Sequence, residues 1–162
     1  MKTTLLGVLV AACAFAQNPR PAACGPTGVK FKVARDKSQH PMPATDSSKA
    51  MVYILGNGVF GLDGKWVGAV EGTYSFLELE PGEHHVCAEL TVKLPAPVIG
   101  LPLAKVGPVI SAHSLNAQPG RTYYFYAYDN PRAYWDFTLK QLDPDEGVRM
   151  VSSTTFSSSH PK

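Results

Sequence analysis

The stretch TYSFLELEPGEHHVCAELTV, Thr73 to Val92, decides the fold class. Tyr74 and Phe76 fall on one side of an extended chain, and Ser75, Leu77 and Leu79 on the other, which is the period of two that a strand imposes. Pro81-Gly82 fits a type II turn, with Pro fixing φ and Gly taking the positive-φ position. His84 to Val92 then reads as the return strand of a hairpin and contains Cys87.

The same grammar extends in both directions. Val29, Phe31 and Val33 alternate with Lys30, Lys32 and Ala34. Asp36 to Lys49 is polar, carries Pro41 and Pro43, and reads as a loop. Ala50 to Leu55 is a compact apolar run and reads as a buried strand. Asp63-Gly64 between Val59-Phe60 and Trp66-Val67 is a strong hairpin signal. Pro119-Gly120 opens Arg121–Tyr128, whose aromatic residues on both faces suit an interior strand. Tyr134 to Leu142 alternates again. Asp143-Pro144-Asp145-Glu146 supplies an N-cap, a proline at the first helical position and an acid three residues after the cap, with Gly147 keeping the helix short. The expected fold is mainly β: an antiparallel sandwich of about seven strands, immunoglobulin- or prealbumin-like, with one short C-terminal helix.

Residues 29–151 form the expected domain. Residues 1–16 read as a signal peptide: Lys2, an apolar run from Leu5 to Phe15, then Ala14-Phe15-Ala16 before Gln17. Residues 17–28 form a Pro/Ala-rich leader and Ser152–Lys162 a flexible tail. Val10-Ala11-Ala12-Cys13 also resembles a lipobox, so the alternative to soluble export is a lipid anchor at Cys13. The expected location is periplasmic or secreted. Of three cysteines, Cys24 and Cys87 remain after export and are expected to pair. Leu94–Ile110 is apolar but broken by Pro95, Pro97, Pro102 and Pro108, an insertion read either as a loop folded over the sandwich or as an exposed apolar flap.

Composition narrows the function. Fifteen Lys+Arg against thirteen Asp+Glu leave a net charge of +2, and no basic run supports nucleic-acid binding. No apolar segment reaches a membrane span of about 20 residues. Gly56-Asn57-Gly58-Val59-Phe60-Gly61 is literally G-x-G-x-x-G, but hairpin chemistry follows it where a dinucleotide site needs a helix. His84 and His85, as strand neighbours, point to opposite faces, and His40, His113 and His160 lack metal-ligand spacing. Asp129, Asp136, Asp143, Asp145 and Glu146 lack the order of a calcium loop. No nucleophile elbow or zinc-protease motif is present. The expectation is a protein without enzymatic activity, cofactor or metal.

Lys49-Ala50-Met51-Val52-Tyr53-Ile54, Leu62-Asp63-Gly64-Lys65, Pro81-Gly82-Glu83-His84 and Gly120-Arg121-Thr122-Tyr123-Tyr124 occur in that order. Over Lys49–Met150 this succession resembles the bacterial domain-of-unknown-function family 2846. The resemblance implies a small exported or lipid-anchored β domain of the cell envelope, with no catalytic residues to carry over. Its expected partner is an envelope protein or cell-surface component. The expected contact surface comprises Val98, Ile99, Leu101 and Leu103 of the insertion, the aromatic residues Trp66, Tyr124, Tyr126 and Trp135, and unpaired sheet edges. The alternative is a carbohydrate- or small-ligand-binding module using an exposed aromatic face.

Overall fold

The computed structural model describes residues 21, 24–26, 29–90, 109–129 and 137–162. The order is β1 (Phe31–Asp36), β2 (Ala50–Gly56), β3 (Gly58–Leu62), β4 (Lys65–Ala69), β5 (Thr73–Leu79), β6 (Gly82–Leu90), β7 (Val109–Ala117), β8 (Thr122–Asp129), β9 (Phe137–Gln141), α1 (Pro144–Ser153) and β10 (Thr155–Pro161). Two sheets face each other, one ordered β1-β10-β5-β2-β8-β9 and the other β4-β3-β6-β7. The described residues therefore form ten strands where the turn signals suggest about seven. It is also not wholly antiparallel: β2 runs parallel to β8, and β10 parallel to β5.

Strand β2 lies at the centre of this arrangement. Ala50, Val52 and Ile54 point between the sheets and pack with Phe60, Val86, Leu115 and Phe125. Met51, Tyr53 and Leu55 point outward and are also buried, under Tyr74, Tyr124, Leu142 and Val151. Each such aliphatic side chain contributes about 1.5–3 kcal/mol on burial. Covering both faces of β2 therefore requires a third layer, and helix α1 provides part of it.

The Pro81-Gly82 turn does something other than expected. β5 and β6 are not a hairpin; they lie in different sheets. Pro81-Gly82 lifts the chain across the sandwich, with Gly82 at φ 138°, far from the roughly +80° of a type II turn. Pro119-Gly120 makes its expected turn, with Gly120 at φ 69° and the Arg121 amide donating to the Gln118 carbonyl at 3.2 Å, and that turn carries the chain from β7 to β8 in the other sheet; Gly56-Asn57-Gly58 likewise carries it from β2 to β3. At Gly56, φ is 107° and a Cβ would sit 2.6 Å from the Ala127 carbonyl oxygen, so the G-x-G-x-x-G run marks a corner between sheets. Asp63-Gly64 is a true hairpin turn, with φ values of 48° and 78° closing β3 onto β4.

The C-terminal segment is the largest departure. Residues 152–162, expected to fray, end α1 and then form β10, which pairs with both β1 and β5. Its serines are held by tertiary contacts. The Ser157 hydroxyl donates to Thr73 Oγ1 at 3.0 Å, and Ser159 Oγ accepts the Gly68 amide at 2.8 Å. Helix α1 starts as its sequence dictates, with the Asp143 side chain accepting the Asp145 amide and Pro144 in the first turn. It runs ten residues, through Gly147. That glycine is there for packing: a Cβ would lie 2.2 Å from Tyr124 Cγ.

The leader is fixed at Cys24–Pro26. Cys24 and Cys87 form a disulfide with Cα atoms 5.4 Å apart, and both are fully buried. Trp66 Nε1 donates to the Pro26 carbonyl at 2.8 Å, and a Cβ on Gly61 would meet both Trp66 and Cys24. The segment is a strap across the outer face of the four-stranded sheet.

Two outcomes follow. Gly147→Ala should destabilise the protein by about 2–3 kcal/mol in chemical denaturation, because overpacking against Tyr124 outweighs alanine's helix preference of about 1 kcal/mol; a neutral or stabilising result would show that the ring can yield. Cys24→Ser with Cys87→Ser should cost roughly 4 kcal/mol on the chain-entropy account and red-shift tryptophan emission as the strap leaves Trp66; an unshifted spectrum would show the strap holds without the bond.

Candidate functional site

Alternation along the strands sorts the aromatic residues onto one surface. Tyr53 of β2, Tyr74 and Phe76 of β5, Tyr124, Tyr126 and Tyr128 of β8, and Phe156 of β10 share the outer face of the six-stranded sheet. Tyr53 stacks on Tyr124 with centroids 5.2 Å apart, and Phe76 meets Phe156 at 5.6 Å. Burial, with the neighbouring Tyr124 and Tyr74 hydroxyls, pushes the Tyr53 phenol up to about 12. Tyr74 is roofed by the 37–48 loop, donating its hydroxyl to the Pro41 carbonyl at 2.8 Å with His40 edge-on to its ring.

The roof thins toward the C-terminal end of β8. Tyr124 is buried under α1, Tyr126 is half-buried, and Tyr128 is 43% exposed, its ring 6.4 Å from that of Tyr126. Beside Tyr126 a cleft of about 470 Å³ opens, walled by Leu55, Asn57, Glu71, Met150 and Thr154. This volume lies within the range of small-molecule sites.

The aromatic residues expected to share one surface are thus divided. Tyr124 is a packing residue and Tyr126 lines the cleft. Trp66 lies on the opposite sheet, committed to the strap. Trp135 and Val98, Ile99, Leu101 and Leu103 lie outside the described residues. Of the insertion Leu94–Ile110, the described Val109 and Ile110 belong to β7. Tyr128 and Met150, absent from the expected surface, join it. Alternation alone places Tyr128 beside Tyr126, but Met150 arrives only through helix packing.

The sheet edges are also less open than expected. The outward Leu139 amide of edge strand β9 is accepted by Ser111 Oγ of β7 at 3.0 Å. The Gly68 amide of edge strand β4 is accepted by Ser159. Both hydroxyls come from the facing sheet and occupy donors that an added strand would need.

His84 and His85 lie on opposite faces of β6, and among the described residues no group of three His, Cys, Asp or Glu is placed to hold a metal ion. His84 Nδ1 lies 2.5 Å from Asp63 Oδ2, a spacing reminiscent of a catalytic dyad. Its Nε2, however, lies 2.7 Å from the Glu80 carbonyl oxygen. Two acceptors favour the doubly protonated ring, and both of its nitrogens are engaged. Asp63 Oδ1 also accepts the His85 amide at 2.8 Å, and the cluster clasps the β3–β4 turn to the β5–β6 crossing.

Burial lowers the His84 pKa, but the hydrogen bonds to Asp63 and Glu80 and the Asp63 charge outweigh it, leaving it above the ordinary value. Burial raises Asp63, and the bonds from His84 and His85 outweigh that, leaving it lowered. A raised histidine stabilises fully below its unfolded value of 6.5 and loses that contribution as pH rises through the folded value. A lowered carboxylate stabilises fully above 3.8 and fails as pH falls through its folded value. Other charges nearby are Glu83 and His85 on β6, and Glu80, whose carboxylate meets Lys49 at 3.4 Å. His84→Gln should therefore cost on the order of 1 kcal/mol between pH 4 and 6.5, a penalty that shrinks at higher pH. Melting curves of both proteins from pH 4 to 9 check this; a constant gap would remove the ion pair from the account.

Comparison with family models, curated proteins and solved structures finds no match at any of the three levels. Among the described residues, no helix is long and apolar enough to cross a membrane.

Proposed function

We propose that this chain is an exported, non-catalytic β-sandwich that serves as an interaction module of the bacterial cell envelope, with its contact surface on the outer aromatic face around Tyr126 and Tyr128. The observation that carries this reading is the uneven cover on that face: α1 and the 37–48 loop roof Tyr124 and Tyr74 but leave Tyr126 lining a cleft and Tyr128 exposed. Partly exposed tyrosines suit recognition, because they offer large apolar area with a polar tip at low entropic cost. The buried disulfide fits an oxidising compartment, and the N-terminal signal-like sequence and the resemblance to the exported family point the same way.

A second reading, a carbohydrate- or small-ligand-binding module, is favoured by the cleft itself. Tyr126 offers a ring for stacking, and Asn57, Glu71 and Thr154 line the same cleft as potential polar contacts.

One experiment tests both. The purified chain should co-sediment with isolated bacterial envelopes, and Tyr126→Ala with Tyr128→Ala should weaken this roughly tenfold while Tyr128→Ala alone keeps the wild-type melting temperature. Loss of binding after protease treatment of the envelopes identifies a protein partner; retention identifies a glycan. Absence of co-sedimentation, or binding indifferent to both tyrosines, would overturn the assignment.

A further inference from the structure

A second cleft, of about 420 Å³, opens at the other end of β8, where the chain crosses from β7. Its character is opposite. The Tyr126 cleft has Glu71 as its one charged wall residue; here it is Arg121. Leu115, Leu142 and the ring of Tyr123 give it apolar lining, while Asn116, Gln118 and Gln141 bring amide side chains to the wall.

The wall is built. The Tyr123 hydroxyl accepts the Gln118 amide at 3.0 Å and donates to the Asn116 carbonyl at 3.3 Å, fixing the crossing. The Arg121 backbone is held on both sides, its carbonyl accepting the Met51 amide at 2.9 Å and its amide donating to Gln118 at 3.2 Å. Its guanidinium has no ion pair or hydrogen bond among the described residues, and the side chains of Asn116, Gln118 and Gln141 are equally uncommitted. Asp143, between the lining residues Leu142 and Pro144, is turned to its own helix, accepting the Asp145 amide at 2.9 Å.

We propose that this cleft binds a small carboxylate-bearing molecule. A guanidinium forms a paired, planar contact with a carboxylate. The amides suit hydroxyl or amide groups beside it, and the Leu115–Tyr123–Leu142 lining suits a ring or short aliphatic group. A uronic acid and the C-terminal residue of a peptide share this chemistry.

The full chain, disulfide intact and labelled with nitrogen-15, would be titrated with glucuronate and, separately, with N-acetyl-alanyl-alanine as the free acid. Glucose and the dipeptide amide are the uncharged controls. Saturable shifts at Arg121 Nε–H and the Gln118 and Gln141 side-chain amides with one acid, and not with its control, are expected, and which acid acts names the source. Arg121→Gln should weaken that binding roughly tenfold, whereas Tyr126→Ala should leave it unchanged, which separates this cleft from the aromatic face. Equal shifts with the neutral control, no saturation with either acid, or an indifferent Arg121→Gln would overturn the proposal.

Discussion

Strand β2 has no polar face, and the architecture is a response to that. Six consecutive buried positions, Ala50 to Leu55, cannot be satisfied by a sandwich wet on its outside. The inner face is met by the four-stranded sheet. The outer face demands aromatic neighbours on β5 and β8, and these demand cover in turn. Helix α1 supplies it, close enough to Tyr124 that the residue at the contact has no side chain. The placement of Tyr53, Tyr74 and Tyr124 beneath this cover follows from covering β2. Where the cover ends, at Tyr126 and Tyr128, the sheet meets solvent.

Signals that act within a few residues were legible in the sequence. The apolar run of β2, the Asp63-Gly64 turn and the Asp143 cap each carry their own geometry, whatever surrounds them. The course of the chain at Pro81-Gly82 was not. Proline and a positive-φ glycine reverse a chain within a sheet or lift it between sheets with the same residues, and only the location of the partner strand separates the two. Strand β10 was hidden for a related reason. Its serines read as solvated, yet Ser157 and Ser159 find acceptors and donors on β5 and β4 that no local pattern announces. Gly147 carried the opposite ambiguity: a helix breaker by propensity, a contact residue by packing.

The candidate surfaces were legible to a similar depth. Period two along β8 puts Tyr124, Tyr126 and Tyr128 on one face, but burial by α1 decides which of them a partner can touch. Trp66 shows how composition misleads when strand membership is unknown. An aromatic residue beside a hairpin looks like a contact residue, and the strap from Cys24 to Pro26 makes it a structural one.

The two outer faces are closed by different means, and the difference bears on function. The four-stranded sheet is covered around Gly61 and Cys87 by a buried disulfide and by a tryptophan anchored to the strap, which is a covalent closure. The six-stranded sheet is sealed by noncovalent packing of one short helix and one loop, which leaves its rim graded from buried to exposed. Recognition needs surface that is held in place yet uncovered, and a rigid sheet with a partial roof meets both conditions. The serine hydroxyls at β4 and β9 each occupy one outward donor that an added strand would need. A sandwich organised this way puts its packing in the core, and the cover over its six-stranded sheet stops short of Tyr128 and of the clefts at the two ends of β8.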